Sequence, residues 1–342
     1  MWGDSLTAAR VFIDAALDRA GLAKRTILPS FIPAGIETPG MQLPLKSACA
    51  GNNWQVAYAH KDKSGRSAFS RAFTSMASDT PGDGMSLDFR FPHTTTRVRE
   101  LTLFYDKPAP DSSLLLGIAV DGGEERLVPL SRTPGGALQI RPDAPLATLT
   151  LRLVSGSIRV HGVAPLYQQT PDLILDVFSI PGGMLRAWSN AGDAAYSAGP
   201  APDYDLVLVQ YGTNEGADPH FSRDAYLAYL RANLARMRHF NPRARCVLIG
   251  PPDRGDVAGT GMFASLKYSN VHRQIALAQK QVGAEFRCAF WDWQAAMGGP
   301  GSAVRWARMK PPRMQPDLTH MTAIGYRISG RLFAESIPLT TN

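Results

Sequence analysis

Cysteine is scarce in this chain: three among 342 residues, at positions 49, 246 and 288. The set is odd and lacks the paired spacing of a zinc or iron–sulfur site, so no metal and no cofactor are expected. Cys246 and Cys288 each open a candidate strand and read as buried thiols, with a bridge between them the lesser alternative. No apolar stretch approaches the roughly 20 residues of a membrane helix, so no membrane span is expected. No basic run interleaved with aromatics occurs. The net charge of +7 therefore allows anionic partners without implying nucleic acid. No signal peptide is visible. Only Met1 and Trp2 precede the first motif, so the strand expected there is very short or begins upstream of Met1.

The rest of the chain is rich in pattern. Hydrophobic residues make up 44%, enough for a full core, and the length suggests two domains. From residue 205 onward, strand-like and helix-like runs alternate: 205–211, 223–239, 246–250, 268–282, 286–293 and 320–336. That order predicts an α/β fold with a doubly wound parallel sheet. Between about 38 and 168 the period changes to two. Met85, Leu87, Phe89 and Phe91 alternate with other residues, as do Ala147, Leu149, Leu151 and Leu153. Leu114, Leu116, Ile118 and Val120 lead into an Asp121-Gly122-Gly123 turn. Short alternating runs between Pro/Gly turns predict an antiparallel β-sandwich. The expected organisation is an α/β domain of residues 1–37 and 168–342, interrupted by a sandwich insert of residues 38–167.

Chemistry concentrates at the two ends. Gly3-Asp4-Ser5-Leu6 precedes an amphipathic run through Val11, Phe12, Ala15, Ala16 and Ala20, so Ser5 lies where a strand hands over to a helix. A serine there serves equally as a helix cap or as a nucleophile whose oxyanion meets free N–H groups. Of the seven histidines, at 60, 93, 161, 220, 239, 272 and 320, only His320 has an acid three residues before it, Asp317. On a turn entering a helix, that spacing puts both side chains on one side. The carboxylate then holds one imidazole nitrogen and leaves the other as a general base. The alternative is that Asp317 caps the last helix.

These blocks together resemble the SGNH (GDSL) hydrolase superfamily. Gly3-Asp4-Ser5-Leu6 resembles its first block, with Ser5 the nucleophile. Asp317-Leu318-Thr319-His320 resembles its last, supplying acid and base. Gly212-Thr213-Asn214-Glu215, after the apolar run Asp205–Tyr211, resembles the block that carries the oxyanion asparagine, Asn214. Glu215 stands where aspartate is commoner. The glycine block is Ser179-Ile180-Pro181-Gly182-Gly183, with Gly182 the backbone donor and Gly183 the adjacent possibility. The resemblance implies an SGNH, flavodoxin-like α/β domain and an oxyanion hole of Ser5, Gly182 and Asn214.

The inserted sandwich narrows the resemblance to carbohydrate O-acetylesterases, including those acting on peptidoglycan, whose insert resembles a carbohydrate-binding module. On that reading the substrate is an acetylated polysaccharide, the protein is periplasmic or secreted, and it acts as a monomer. A lipase or thioesterase, or a polysaccharide O-acetyltransferase, would use the same residues. Two further features bear on substrate. Arg305, Arg308 and Arg313 lie in a stretch, 301–316, without a single acid, readable as a solvated loop or as a basic lip. Trp291, at a strand end, is readable as core or as a sugar-stacking platform.

Overall fold

The apolar run after Asp205 becomes the middle strand of an all-parallel sheet. In the computed structural model of the chain, which describes residues 1–63, 69–91, 94–107, 113–130, 136–196, 203–256 and 266–339, five strands form this sheet. They are β1 (Trp2–Gly3), β2 (Phe178–Ser179), β3 (Leu206–Gln210), β4 (Arg245–Ile249) and β5 (Cys288–Trp291), in the order β2-β1-β3-β4-β5. Val207, Val209, Val247 and Ile249 are buried, as expected for strands covered on both faces. Although β1 has two residues, both its edges are paired: Trp2 with Phe178 and Val209, Gly3 with Ser179 and Gln210. A short strand thus suffices to hold the Ser5 turn.

Five helices matter for the site: α1 (Ser5–Ala8), α2 (Val11–Arg19), α3 (Arg223–Phe240), α4 (Lys267–Glu285) and α5 (Ala323–Ser336). A Cβ on Gly330 of α5 would lie 2.2 Å from the carbonyl of Phe12 on α2. The helices following the two end motifs therefore pack backbone against backbone. Beneath them, Phe12, Trp291, Trp293 and Phe333 form one aromatic cluster with centroids 4.8–6.0 Å apart. Trp291 is 5% exposed. It belongs to this core and offers no face to a sugar, which corrects the stacking assignment.

Cysteine usage also differs from expectation. Cys246 of β4 and Cys288 of β5 are register partners with Cα atoms 4.5 Å apart, and they form a disulfide. Adjacent strands lie about one strand spacing apart, within bridging range for paired cysteines.

The chain divides into two compact units. One comprises Met1–Lys24, Val177–Ser189 and Asp203–Asn342; the other comprises Arg25–Asp176 and Asn190–Pro202. The second unit holds two antiparallel sheets. One has five strands, in the order Arg126–Leu130, Leu114–Val120, Thr148–Ser155, Gly84–Asp88, Ser47–Ala50. The other has six, built on Val98–Asp106 and Ile158–Tyr167 and joined by Ile32–Pro33. The alternating leucines are the core: Leu114, Leu116, Leu149, Leu151 and Leu153 are buried. At the Asp121-Gly122 turn both central residues have positive φ, 52° and 71°, and the Gly123 N–H closes on the carbonyl of Val120 at 2.9 Å, the type I′ geometry. Asp176 accepts hydrogen bonds from the N–H groups of Ser30 and Phe31, so the segments entering and leaving this unit are tied side by side.

Candidate active site

Asp4, not Ser5, caps α1: its Oδ1 accepts the N–H of Leu6 at 2.9 Å. Ser5 is thereby the first helical residue. Its N–H has no intrahelical acceptor, as is general for a first turn, and its hydroxyl is free of capping duty. The Asp4 N–H donates to Oε1 of Gln210, whose Nε2 donates back to Oδ2 of Asp4, which fastens the turn to β3. Thr7 Oγ1 lies 2.8 Å from Ser179 Oγ, which fastens it to β2. Gly3 is required here because a Cβ would fall 2.3 Å from Thr7 Oγ1. Burial drives the Asp4 carboxyl up to about 7, against the hydrogen bonds from Leu6 and Gln210.

The last motif arrives on a loop rather than on a helix. Gln315 N–H donates to the carbonyl of His320, Met314 bridges Met321, and Leu318 sits at φ 53°. Asp317 does not cap α5; Thr322 does, accepting from Gly325 N–H. Instead Oδ1 of Asp317 accepts the N–H groups of Thr319 and His320, and Oδ2 lies 2.7 Å from Nδ1 of His320. Partial burial pushes the Asp317 carboxyl up, but these bonds and the His320 charge outweigh it and hold it below its ordinary range. The other ring nitrogen, Nε2, lies 2.9 Å from Ser5 Oγ. Sequence reasoning named these three residues, and the fold brings them together in a chain.

The glycine block forms a turn. Pro181 and Gly182 occupy its centre, Gly182 at φ 75°, and Gly183 N–H closes on the carbonyl of Ile180 at 2.8 Å. This is the dihedral demand that favours Pro then Gly in a type II turn. The Gly183 N–H is consumed by the turn; among the described residues the N–H of Gly182 has no acceptor. Nδ2 of Asn214 donates to the carbonyl of Gly183 at 2.9 Å, so one amide hydrogen fixes the side chain against the turn and the second is left over.

Glu215 is the residue whose role the sequence did not disclose. One oxygen accepts the N–H of Leu185 at 2.8 Å and lies 3.2 Å from the hydroxyl of Tyr229; the other accepts the N–H of Gly212 at 3.0 Å. The carboxylate thus joins the loop after β2, the loop after β3 and helix α3. Burial raises its pKa against those backbone bonds. A cavity of about 260 Å³ opens beside it, lined among others by Met184, Asn214, Phe221 and Tyr226.

The remaining assignments fare less well. Arg305 donates to the carbonyls of Gly298 and Pro300 in its own loop, and Arg313 stacks on Trp306 at 5.5 Å. Arg308 is exposed. Two of the three lip arginines therefore serve their own segment. His272 is buried, with Nδ1 2.7 Å from the carbonyl of Pro252, and burial lowers it to about 4, so it is a neutral core histidine. Among the described residues no group of three or more His, Cys, Asp or Glu is placed to hold a metal ion, and no helix is long and apolar enough to cross a membrane.

Residues 158–328, half of the chain, match the model of the GDSL-like Lipase/Acylhydrolase family. That span contains Gly182, Asn214, Asp317 and His320 and lies beyond Ser5. No curated protein sequence matches. Among solved structures, a peptidoglycan O-acetylesterase aligns over 98% of this chain and 88% of its own, with TM-score 0.69 and 20% identity. A family 2 carbohydrate esterase with a carbohydrate-binding domain, from Corynascus thermopiles (Myceliophthora fergusii), covers 82% of this chain and 98% of its own at 14% identity, TM-score 0.34. An active-site mutant of a family two carbohydrate esterase from Clostridium thermocellum covers 85% and 97% at 8% identity, TM-score 0.32. The first of these shares the fold across both chains.

Proposed function

Since the chain belongs to the GDSL-like lipase/acylhydrolase family and is a serine esterase, we propose that it removes acetyl groups from a polysaccharide through a Ser5-His320-Asp317 acyl-enzyme mechanism. The observation that carries this reading is the continuous contact from Ser5 Oγ to His320 Nε2, 2.9 Å, and from His320 Nδ1 to Asp317 Oδ2, 2.7 Å.

His320 Nε2 takes the proton of the Ser5 hydroxyl as Oγ attacks the acetyl carbonyl. Asp317 keeps Nδ1 protonated and stabilises the imidazolium. The oxyanion is received by the N–H groups of Ser5 and Gly182 and by the second amide hydrogen of Asn214. The C–O bond to the sugar breaks as His320 gives its proton to the departing sugar oxygen. Water then attacks the acetyl-enzyme, His320 accepts a proton from it, and Ser5 leaves as the hydroxyl while acetate is released.

The unit of Met1–Lys24, Val177–Ser189 and Asp203–Asn342 is read as the doubly wound SGNH catalytic domain and the sandwich unit as a carbohydrate-binding-module-like insert; the junctions fall near residues 24 and 176 rather than 37 and 168, because Ile32–Pro33 pairs with the sandwich strand Ile158–Tyr167. The name of the solved structure with this fold, a peptidoglycan O-acetylesterase, favours an acetylated glycan as substrate. The Cys246–Cys288 disulfide fits an oxidising compartment such as the periplasm or the exterior.

A lipase or thioesterase would use the same three residues on a longer acyl chain. Acetate release from a panel of acetylated glycans, with aryl esters of increasing acyl length in parallel, tests both. The proposal expects acetate from at least one glycan and a fall in kcat/KM beyond acetyl. Rising kcat/KM with acyl length and no glycan turnover would replace it with a lipase or thioesterase.

A further inference from the structure

The opposite ends of the parallel strands carry an open basic depression that the hydrolytic chemistry does not use. Ser5 and Asn214 follow the C-terminal ends of β1 and β3, whereas this cavity, about 450 Å³, lies at the N-terminal ends of β4 and β5. Arg238, Arg243, Arg245 and Arg287 line it, with Glu285 the acid among its lining residues.

Its charges are unevenly matched. Glu285 forms a two-pronged ion pair with Arg231, and Arg243 pairs with Asp203. Arg238 reaches from α3 to the carbonyls of Ala244, Phe286 and Arg287, so its guanidinium braces the walls. Burial, and then the positive charge of Arg287, lower its pKa; the pocket is short of negative charge. Arg245 and Arg287 are exposed, and among the described residues neither side chain has an ion-pair partner.

The fold forces these two together. Cys246 and Cys288 are register partners and are covalently joined, so Arg245 at the start of β4 and Arg287 in the turn leading into β5 are brought to the same depression, which both line. Like charges lining one depression repel. Arg287 also holds a left-handed backbone, φ 54°, just after α4, a position where glycine is the usual residue. An unpaired arginine is therefore kept at a backbone position that disfavours it, beside a second unpaired arginine, over a cavity. Guanidinium forks match the paired oxygens of carboxylate and phosphate groups.

We propose that the cavity lined by Arg238, Arg245 and Arg287 is a binding site for an oxyanion, a phosphoryl or carboxylate group, distinct from the hydrolytic site. The test is calorimetric titration of the full chain with inorganic phosphate and with succinate, in low-salt buffer free of other oxyanions, because screening weakens such contacts. The wild type is expected to bind at least one probe saturably. Binding of phosphate alone identifies a phosphoryl ligand, and binding of succinate as well extends it to carboxylates. The Arg245→Gln/Arg287→Gly variant should bind at least tenfold more weakly. Its thermal midpoint should be unchanged or higher, because glycine relieves the backbone at 287, and aryl acetate turnover should be unchanged. Absence of saturable binding by both probes, or equal affinity in the variant, overturns the proposal.

Discussion

Ser5 Oγ and His320 Nε2 lie 2.9 Å apart although 315 positions separate them in sequence. Two constructions meet at that contact. The Ser5 turn is pinned by a two-residue strand with partners on both edges and by the Asp4–Gln210 pair. The His320 loop is closed by its own backbone bonds before α5 begins. The close approach of α2 and α5 at Gly330 holds the two constructions in one unit.

Asn214→Ala should lower kcat for an aryl acetate by about a hundredfold or more, the usual effect of losing one oxyanion donor. KM should change little, because the contact strengthens in the transition state. Steady-state kinetics decide it: a change confined to KM would make Asn214 a binding residue.

Glu215→Gln removes one of the carboxylate's acceptor sites and turns an amide against the N–H of Leu185 or Gly212. Leaving a buried donor unmet costs about 1–3 kcal/mol, so urea unfolding should register a loss of that order. Turnover should fall with it, since both loops carrying the proposed oxyanion donors Gly182 and Asn214 are tied to this one group. Full stability together with full turnover would remove Glu215 from the positioning role.

The proposed catalytic residues were legible only as a set: a serine at a strand–helix junction and a histidine three residues after an acid each read equally as helix-end residues, and the resemblance of the separated blocks to one family decided between the readings. The alternation around Leu149 and Leu151 announced the sandwich. What escaped depends on partners distant in sequence. Glu215 gains its role from Leu185 and Tyr229, which no spacing rule links to it. The Cys246–Cys288 bridge follows from the register of two strands 42 residues apart. Trp291 reads as a strand-end aromatic until Phe12 and Phe333 are seen to cover it.

Asp4 supplies a pH signature. Burial raises its carboxyl from 3.8 to about 7, so the folded state holds the proton more tightly than the unfolded chain. That contribution is present in full below about pH 4 and is lost as pH rises through 7. At 1.36 kcal/mol per pKa unit the whole span is about 4 kcal/mol. Relative to Asp4→Asn, which does not titrate, wild-type stability in urea should decline by about 3 kcal/mol between pH 5 and pH 8. A difference that stays flat across that window contradicts the assignment.

Replacing Cys246 and Cys288 by alanine should cost stability and leave the chemistry alone. Loop-closure entropy for a separation of 42 residues corresponds to about 4 kcal/mol, with 2–4 kcal/mol the usual yield. The double variant should lose an amount in that range in denaturant unfolding while its kcat on an aryl acetate stays within about twofold of wild type. Unchanged stability would mean that the bridge does not constrain the unfolded chain.

In the proposed mechanism Ser5 carries the acyl group. Acid quenching during aryl acetate turnover, followed by mass spectrometry of the peptides, tests it directly. A single acetyl group is expected on the peptide containing Ser5. In Ser5→Ala that label should be absent and turnover lower by several orders of magnitude. An acetyl group on another residue, or a Ser5→Ala variant within tenfold of wild-type turnover, would contradict it.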